Sequence, residues 1–351
     1  MITTYIIIAI IFSSFSFAPS LPSSHWSFRI FDFIRLQMVF IQALIFIIGL
    51  FIFKDFNTLN TFVLSLLAIA ILTQVYFIAP YLPFRKFTDK SPNNEAEIKL
   101  ISVNVLQKNK NYKSLIQLVE KVKPAILLTM ETNETWEQEM HEIEEKYAYN
   151  FKIPKENRYG MHFYSNLKII ACKVHYFISD ERPAIEVKLA DKNQNEFIFY
   201  GVHPPPPSPT EKPTAKQKDA ELMQVGKLIA KQELPCIVTG DFNNVCWSKS
   251  AKVFAKISKL KDARLGRGIH GTFPVKPWIF RFPLDLLFVS KAINVDKIGT
   301  LPSIGSDHLP FYAAFNISNP DADSKHTPSK KLKKEADRII KAGKKAHKAE
   351  D

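Results

Sequence analysis

Three apolar runs crowd the first 87 residues, and they constrain the rest of the chain more than any other feature. Thr3 to Ala18, Leu36 to Phe53 and Phe62 to Ala79 hold about 16, 18 and 18 residues. A helix crossing a ~30 Å hydrocarbon layer needs roughly 20, with a lower limit near about 17. The charges of this stretch are confined to Arg29, Asp32, Arg35, Lys54, Asp55, Arg85 and Lys86. The second and third runs therefore read as spanning helices joined by the polar turn Lys54 to Thr58. The first run lacks a basic leading segment, and Ala18 before Pro19 is a poor cleavage site. It reads as a retained helix, with a signal peptide as the alternative. Nothing downstream offers an apolar face large enough to bury all three in a soluble core. With three spans, the loop carrying Arg29 and Arg35 shares a side with Arg85 and Lys86, and positive residues favour the cytoplasm. The expectation is an integral protein of a bacterial inner membrane: an anchor of two to three helices over 1–87, a linker over 88–97, and a cytoplasmic globular domain. If the first run does not span, the side is left open.

The net charge of +13 is spread unevenly. From Lys325 to Asp351 ten Lys or Arg face four Asp or Glu, so 10 − 4 = +6 sits on the tail. Residues 318–351 read as a basic, mobile tail, solvated by default and otherwise open to an anionic partner such as nucleic acid or anionic lipid. Cys172, Cys236 and Cys246 are odd in number and lack C-x-x-C spacing, so neither a disulfide framework nor a thiolate zinc site is indicated.

From Ile98 to about 317 short β-branched runs alternate with helical stretches, which predicts an α/β layered fold. Strands are expected at Ile98–Asn104, Ala125–Thr129, His162–Tyr164, Lys168–Phe177, Ala184–Leu189, Glu196–Val202, Cys236–Thr239, Leu284–Val289 and Phe311–Phe315. Helices are expected over Tyr112–Val122, Trp136–Lys146 and Thr214–Lys231. The run from His203 through Pro204, Pro205, Pro206 and Pro207 follows a strand. It is either a stiff linker or a device holding an imidazole at a strand end with little ordering entropy left to lose.

Polar groups recur at strand ends: Asn104 after the first, Glu131 after the second, Gly240-Asp241-Phe242-Asn243 after a third, and Gly305-Ser306-Asp307-His308 before the last. Singly each is a turn former or cap. Together they supply what hydrolysis of a phosphate ester needs: oxygen ligands for a hard cation, a carboxylate to activate water, and an imidazole for proton transfer.

On Ser102-Val103-Asn104-Val105, Met130-Glu131-Thr132, Gly201-Val202-His203, Gly240-Asp241-Phe242-Asn243 and Ser306-Asp307-His308, the chain resembles the endonuclease/exonuclease/phosphatase family from about Ile98 to Phe315. The resemblance implies a four-layered α/β sandwich, as in deoxyribonuclease I. It also implies roles. Glu131 would be the principal Mg²⁺ ligand, with Mn²⁺ as a substitute, and Asn104 and Asp307 would complete or orient the shell. Asp241 would align or deprotonate the attacking water, Asn243 would contact the phosphate, and His308 would sit on it. Asp285 would orient His308, although Leu286 stands where many relatives carry a histidine. His203 resembles the second histidine of the nuclease and sphingomyelinase branches. Arg158 and Tyr159 resemble a phosphate-proximal, substrate-binding stretch, and Thr272-Phe273-Pro274 a wall beside the site.

The expected activity is Mg²⁺-dependent in-line attack of water on a phosphodiester or phosphomonoester, with no covalent intermediate. Nucleic acid suits the basic balance; a phospholipid or its headgroup suits the anchor and the lipid bilayer around it. Lys276, Trp278 and Arg281 suit either substrate. A catalytically degenerate membrane scaffold that binds anionic partners is the alternative outside enzymology.

Overall fold

A computed structural model describes residues 1–83, 98–317 and 327–350. The expected linker at 88–97 and residues 318–326 of the basic tail lie outside the described residues. The chain divides into two compact units. The first combines Met1–Leu82 with Pro207–Ala215; the second holds Pro83–Pro206 and Lys216–Asp351.

In the first unit, α1 (Ile2–Phe15), α3 (Arg35–Ile52) and α4 (Thr58–Ile78) match the three apolar runs. Together with flanking turns, three helices are long and apolar enough to cross a membrane: Ile2–Ser20, Arg35–Ile52 and Thr58–Tyr81. They pack through Ala9, Ile45, Val63 and Leu67, while Phe40, Phe51, Phe62 and Leu72 stay outward and exposed. One buried polar network is paired internally, as an apolar surrounding favours. Asp32 accepts from Arg35 Nη2 at 2.7 Å, Arg35 Nη1 donates to Gln74 Oε1 at 2.6 Å, and Gln74 Nε2 donates to Ser16 Oγ at 3.1 Å. Sequence periodicity missed the short α2 (Trp26–Phe33), whose N-terminus His25 caps. Beside it lies the segment Pro207–Ala215: Trp26 N donates to Pro213 O at 3.0 Å and Ala215 N to Ser24 O at 2.8 Å.

The second unit contains two six-stranded mixed sheets. Its strands are β1 (Ile98–Asn104), β2 (Ile126–Met130), β3 (Tyr149–Ile153), β4 (Met161–Ser165), β5 (Lys168–Tyr176), β6 (Pro183–Ala190), β7 (Glu196–Gly201), β8 (Cys236–Asp241), β9 (Lys261–Asp262), β10 (Asp285–Val289), β11 (Ile293–Thr300) and β12 (Phe311–Ile317). The orders are β11-β12-β1-β2-β4-β3 and β5-β6-β7-β8-β10-β9. Alternation puts Leu100, Leu128, Phe163 and Ala313 of one sheet against Val187, Phe199, Ile237 and Leu287 of the other in a single core. On the outer face of the first sheet, Ile101, Val103 and Tyr164 meet Leu115, Val119, Trp136 and Ile143 from α5 (Tyr112–Val122), α6 (Glu134–Glu139) and α7 (His141–Glu144). Over the second sheet lie α8 (Lys216–Ile229) and α9 (Lys249–Ser258), with Phe254 against Phe242 and Phe288. The result is the expected four-layered α/β sandwich.

The sequence expectation of one helix over Trp136–Lys146 gives way to two, because the chain turns at Met140, where the ladder of α6 ends. Nor is the far end of the chain the mobile tail its lysines suggest. Lys330–His347 forms α10, which packs on α8 through small residues: Ala336 and Gly343 are buried, and a Cβ built on Gly343 would fall 2.3 Å from that of Ala220.

Candidate active site

Topology gathers the strand-end residues. In the parallel pairs β1–β2 and β7–β8, Asn104 stands beside Met130 and Gly201 beside Thr239, so the residues that follow leave the sheets at their carboxyl ends. The antiparallel partner β10 begins there, with Asp285 opposite Asp241. The other antiparallel partner, β12, also begins there, so the loop carrying Ser306, Asp307 and His308 arrives at the same end.

Unusual backbone aims the side chains. Glu131 and Asn243 lie in the left-handed region at φ +62° and +47°. Gly240, at φ +140°, lets β8 approach so closely that an added Cβ would fall 2.0 Å from Val202 O. Asn243 N–H donates to Asp241 Oδ1 at 2.9 Å, and its amide donates to Pro204 O at 2.9 Å. Ser306 Oγ donates to Asn104 O at 2.7 Å and accepts from His308 N at 3.1 Å, which ties the histidine loop to β1.

The carboxylates meet around Asn104. Its Nδ2 donates to Glu131 Oε1 at 2.8 Å and to Asp241 Oδ2 at 3.2 Å, while its Oδ1 accepts from Leu106 N at 3.0 Å. In this arrangement Asn104 orients Glu131 through its NH₂ and turns its oxygen away. Glu131 Oε2 accepts from Gln107 N at 3.3 Å. Burial pushes the Asp307 carboxyl above its usual range; His308 opposes this, and the charges of Glu131 and Asp241 reinforce it.

His308 Nδ1 lies 2.8 Å from Asp285 Oδ2 and its Nε2 lies 3.5 Å from Asp241 Oδ2. Burial alone would lower its pKa, but Asp285 and Asp241 outweigh that and raise it to about 10. Asp241, Asp285 and His308 are also a group whose ligand atoms all lie within 4.8 Å of one another. An imidazole held protonated repels a cation, so this trio is better suited to orienting a proton donor than to holding a metal. His203, 5 % exposed, places Nε2 3.8 Å from Asp241 Oδ2 and faces the ring of Tyr159 at 5.2 Å. Arg158 is exposed, and its backbone N–H donates to Gln107 Oε1 at 2.7 Å. The Phe273 ring lies 4.8 Å from that of His308.

Sequence reasoning passed over Arg264 and Arg182 as supports and placed Thr272 only in a wall beside the site. The buried Arg264 donates to the Asp285 carbonyl and lies 4.5 Å over the Phe311 ring. Thr272 Oγ1 accepts from Asp285 N at 3.3 Å. Arg182 lies 5.8 Å from the centre of the Tyr159 ring and donates to Glu221 Oε1 at 2.7 Å. Neither arginine belongs to a local motif: Arg182 follows Asp180 and Glu181, and Arg264 stands between Asp262 and Arg267, so no local signal set them apart.

The sequence from 101 to 308 matches the Endonuclease/Exonuclease/phosphatase family. The chain belongs to that family. No curated protein sequence matches it. Among solved structures, the human Nocturnin catalytic domain with bound sulfate is 21% identical, with 63% of this chain and 93% of that chain covered at a TM-score of 0.52. A Bacteroides vulgatus endonuclease/exonuclease/phosphatase is 16% identical over 64% of this chain and 100% of that one, at 0.53. D. rerio TDP2 complexed with single strand DNA product is 15% identical over 63% and 100%, at 0.52. At these identities the likeness establishes the fold. Family members generally use divalent metals, and the donor chemistry here fits one. Glu131, Asp241 and Asp307 are carboxylates with no Lys or Arg ion pair among the described residues, and such a cluster calls for a hard cation.

Proposed function

We propose that the chain is a membrane-anchored, Mg²⁺-dependent hydrolase of phosphate esters. The observation that carries this reading is the convergence of Asn104, Glu131, Asp241 and the Asp285–His308 pair from five separate segments onto one end of the two sheets. Glu131 and Asp307 would hold the cation, with Asn104 fixing the Glu131 carboxylate. When bound, the ion neutralises phosphate oxygens and the charge that develops on them.

The rest follows from the chain's own groups. Asp241 takes the proton of a water in line with the scissile bond. Its Oδ1 is fixed by Asn243 N–H, and its Oδ2, which Asn104 and both imidazoles face, is the oxygen for that task. His308, charged through Asp285, donates to a phosphate oxygen and stabilises the transition state. His203 stands on the other side of Asp241 Oδ2, positioned to serve the leaving group. Arg158 and Tyr159 form a substrate-facing rim. The three apolar helices are read as spans, with the catalytic domain cytoplasmic. Arg35 is consumed in a buried ion pair, so that orientation rests on fewer free cations than the sequence counts. The outward cations of α10 suit an anionic partner.

Glu131→Ala should abolish Mg²⁺-dependent hydrolysis of bis(p-nitrophenyl) phosphate by the detergent-purified protein. Turnover equal to that of the parent would remove the proposed chemistry, and a parent without Mg²⁺-dependent turnover would leave the degenerate-scaffold reading in its place.

A further inference from the structure

Among the described residues of the second unit, exposed large apolar side chains are scattered, with one exception. Trp278, Ile279 and Phe280 are consecutive and 74 %, 52 % and 46 % exposed, in a 3-10 turn at the tip of the loop 272–282. The loop is braced. Thr272 N and Phe273 N both donate to Phe282 O, at 2.8 and 3.1 Å. Across it Arg281 Nη2 donates to Val275 O at 2.6 Å and Nε to Pro274 O at 3.3 Å. Its base is joined to the site: Leu309 N donates to Thr272 O and Val275 N to Asp307 O, each at 2.9 Å, and Phe273 lies against His308. A stiff loop rooted beside the catalytic imidazole thus holds an indole, a sec-butyl group and a phenyl ring in water.

Contiguous exposed apolar side chains mark a surface meant to be covered. Tryptophan followed by aliphatic and aromatic groups, with the exposed Lys276 beside them, is the chemistry of a bilayer interface: rings enter the acyl boundary and the ammonium meets anionic headgroups. The same chain carries three helices suited to crossing a bilayer, so that apolar phase is within reach of this domain whatever else it meets. We propose that the Trp278–Phe280 tip docks into the bilayer, and that the ester cleaved is carried by an amphiphile resident there. The first part stands alone; the second rests on the hydrolase reading.

Two measurements on the full chain, reconstituted in vesicles of phosphatidylcholine and phosphatidylglycerol, separate these parts. Brominated phosphatidylcholine should quench a component of tryptophan fluorescence that is missing in Trp278→Phe, because Trp136 and Trp247 are buried and Trp26 is common to both proteins. Identical quenching in parent and variant would overturn the docking. In the second, Ile279→Ala and Phe280→Ala together should lower hydrolysis of vesicle phospholipid about tenfold. Turnover of soluble bis(p-nitrophenyl) phosphate should be unchanged. Equal losses on both substrates, or a loss on plasmid DNA alone, would overturn the amphiphile assignment. If the parent hydrolyses no phosphate ester with Mg²⁺, the hydrolase reading itself fails, and quenching still decides the docking.

Discussion

An imidazole as buried as that of His308 would ordinarily shed its proton near neutral pH. Asp285 and Asp241 reverse this and raise its pKa to about 10. Because the folded value exceeds the unfolded value of about 6.5, charged His308 contributes stability in full below that pH and loses it as pH rises through the folded value. Asp285→Asn removes the largest raising influence and leaves Asp241 and Asp307 to oppose burial. The alkaline limb of the rate profile should therefore move to lower pH, with kcat down by about 10²–10⁴-fold. An unmoved limb in a kcat–pH titration would divorce His308 from the rate. The candidate residues themselves were legible because each sits at a strand end and borrows its placement from the nearest backbone. Their orientation was not. That Asn104 presents its NH₂ to Glu131, or that Arg264 holds Asp285 from beneath, depends on residues 27 and 21 positions away respectively.

Elements with strong periodicity were readable, and those whose signal is shared with solvated chain were not. Tyr112–Val122 alternates apolar and polar faces, and its expected span equals that of α5. Edge strands β3 and β11 are largely exposed or half-buried, which removes the alternation that would announce them. In α10 the lysines hide a docking stripe whose fully buried members are the small Ala336 and Gly343. Its charges are sorted. Asp337 pairs with Lys227 at 2.7 Å and Glu335 with Lys249 at 3.8 Å, whereas Lys334, Arg338, Lys341, Lys345 and Lys348 follow one another at steps of four and three on the exposed side. Gly343→Leu should break the contact with Ala220, at a cost of about 1–3 kcal/mol. Trypsin should then cut at Lys341 and Lys344 many times faster than in the parent. Cleavage at the parental rate, followed by mass spectrometry, would place the helix off α8 in solution.

At the scale of the molecule, two units are folded from interleaved sequence. Composition announced the three apolar helices and the sandwich, since runs of Ile, Leu and Phe and a series of β-branched strands each leave a mark along the chain. That Pro207–Ala215 belongs with the first 82 residues had no such mark, because its pairing uses backbone groups that every sequence possesses. Deleting residues 1–82 should leave this segment without the partners of Pro213 O and Ala215 N–H. Glu-C should then cleave after Glu211 faster than in the full chain, and equal rates would show that the segment holds itself. The same segment sets a sequence of events during synthesis. The helices of the first unit leave the ribosome early, yet their assembly lacks its final segment until residues 83–206 have been made. Translation of about half of the sandwich therefore precedes completion of the first unit.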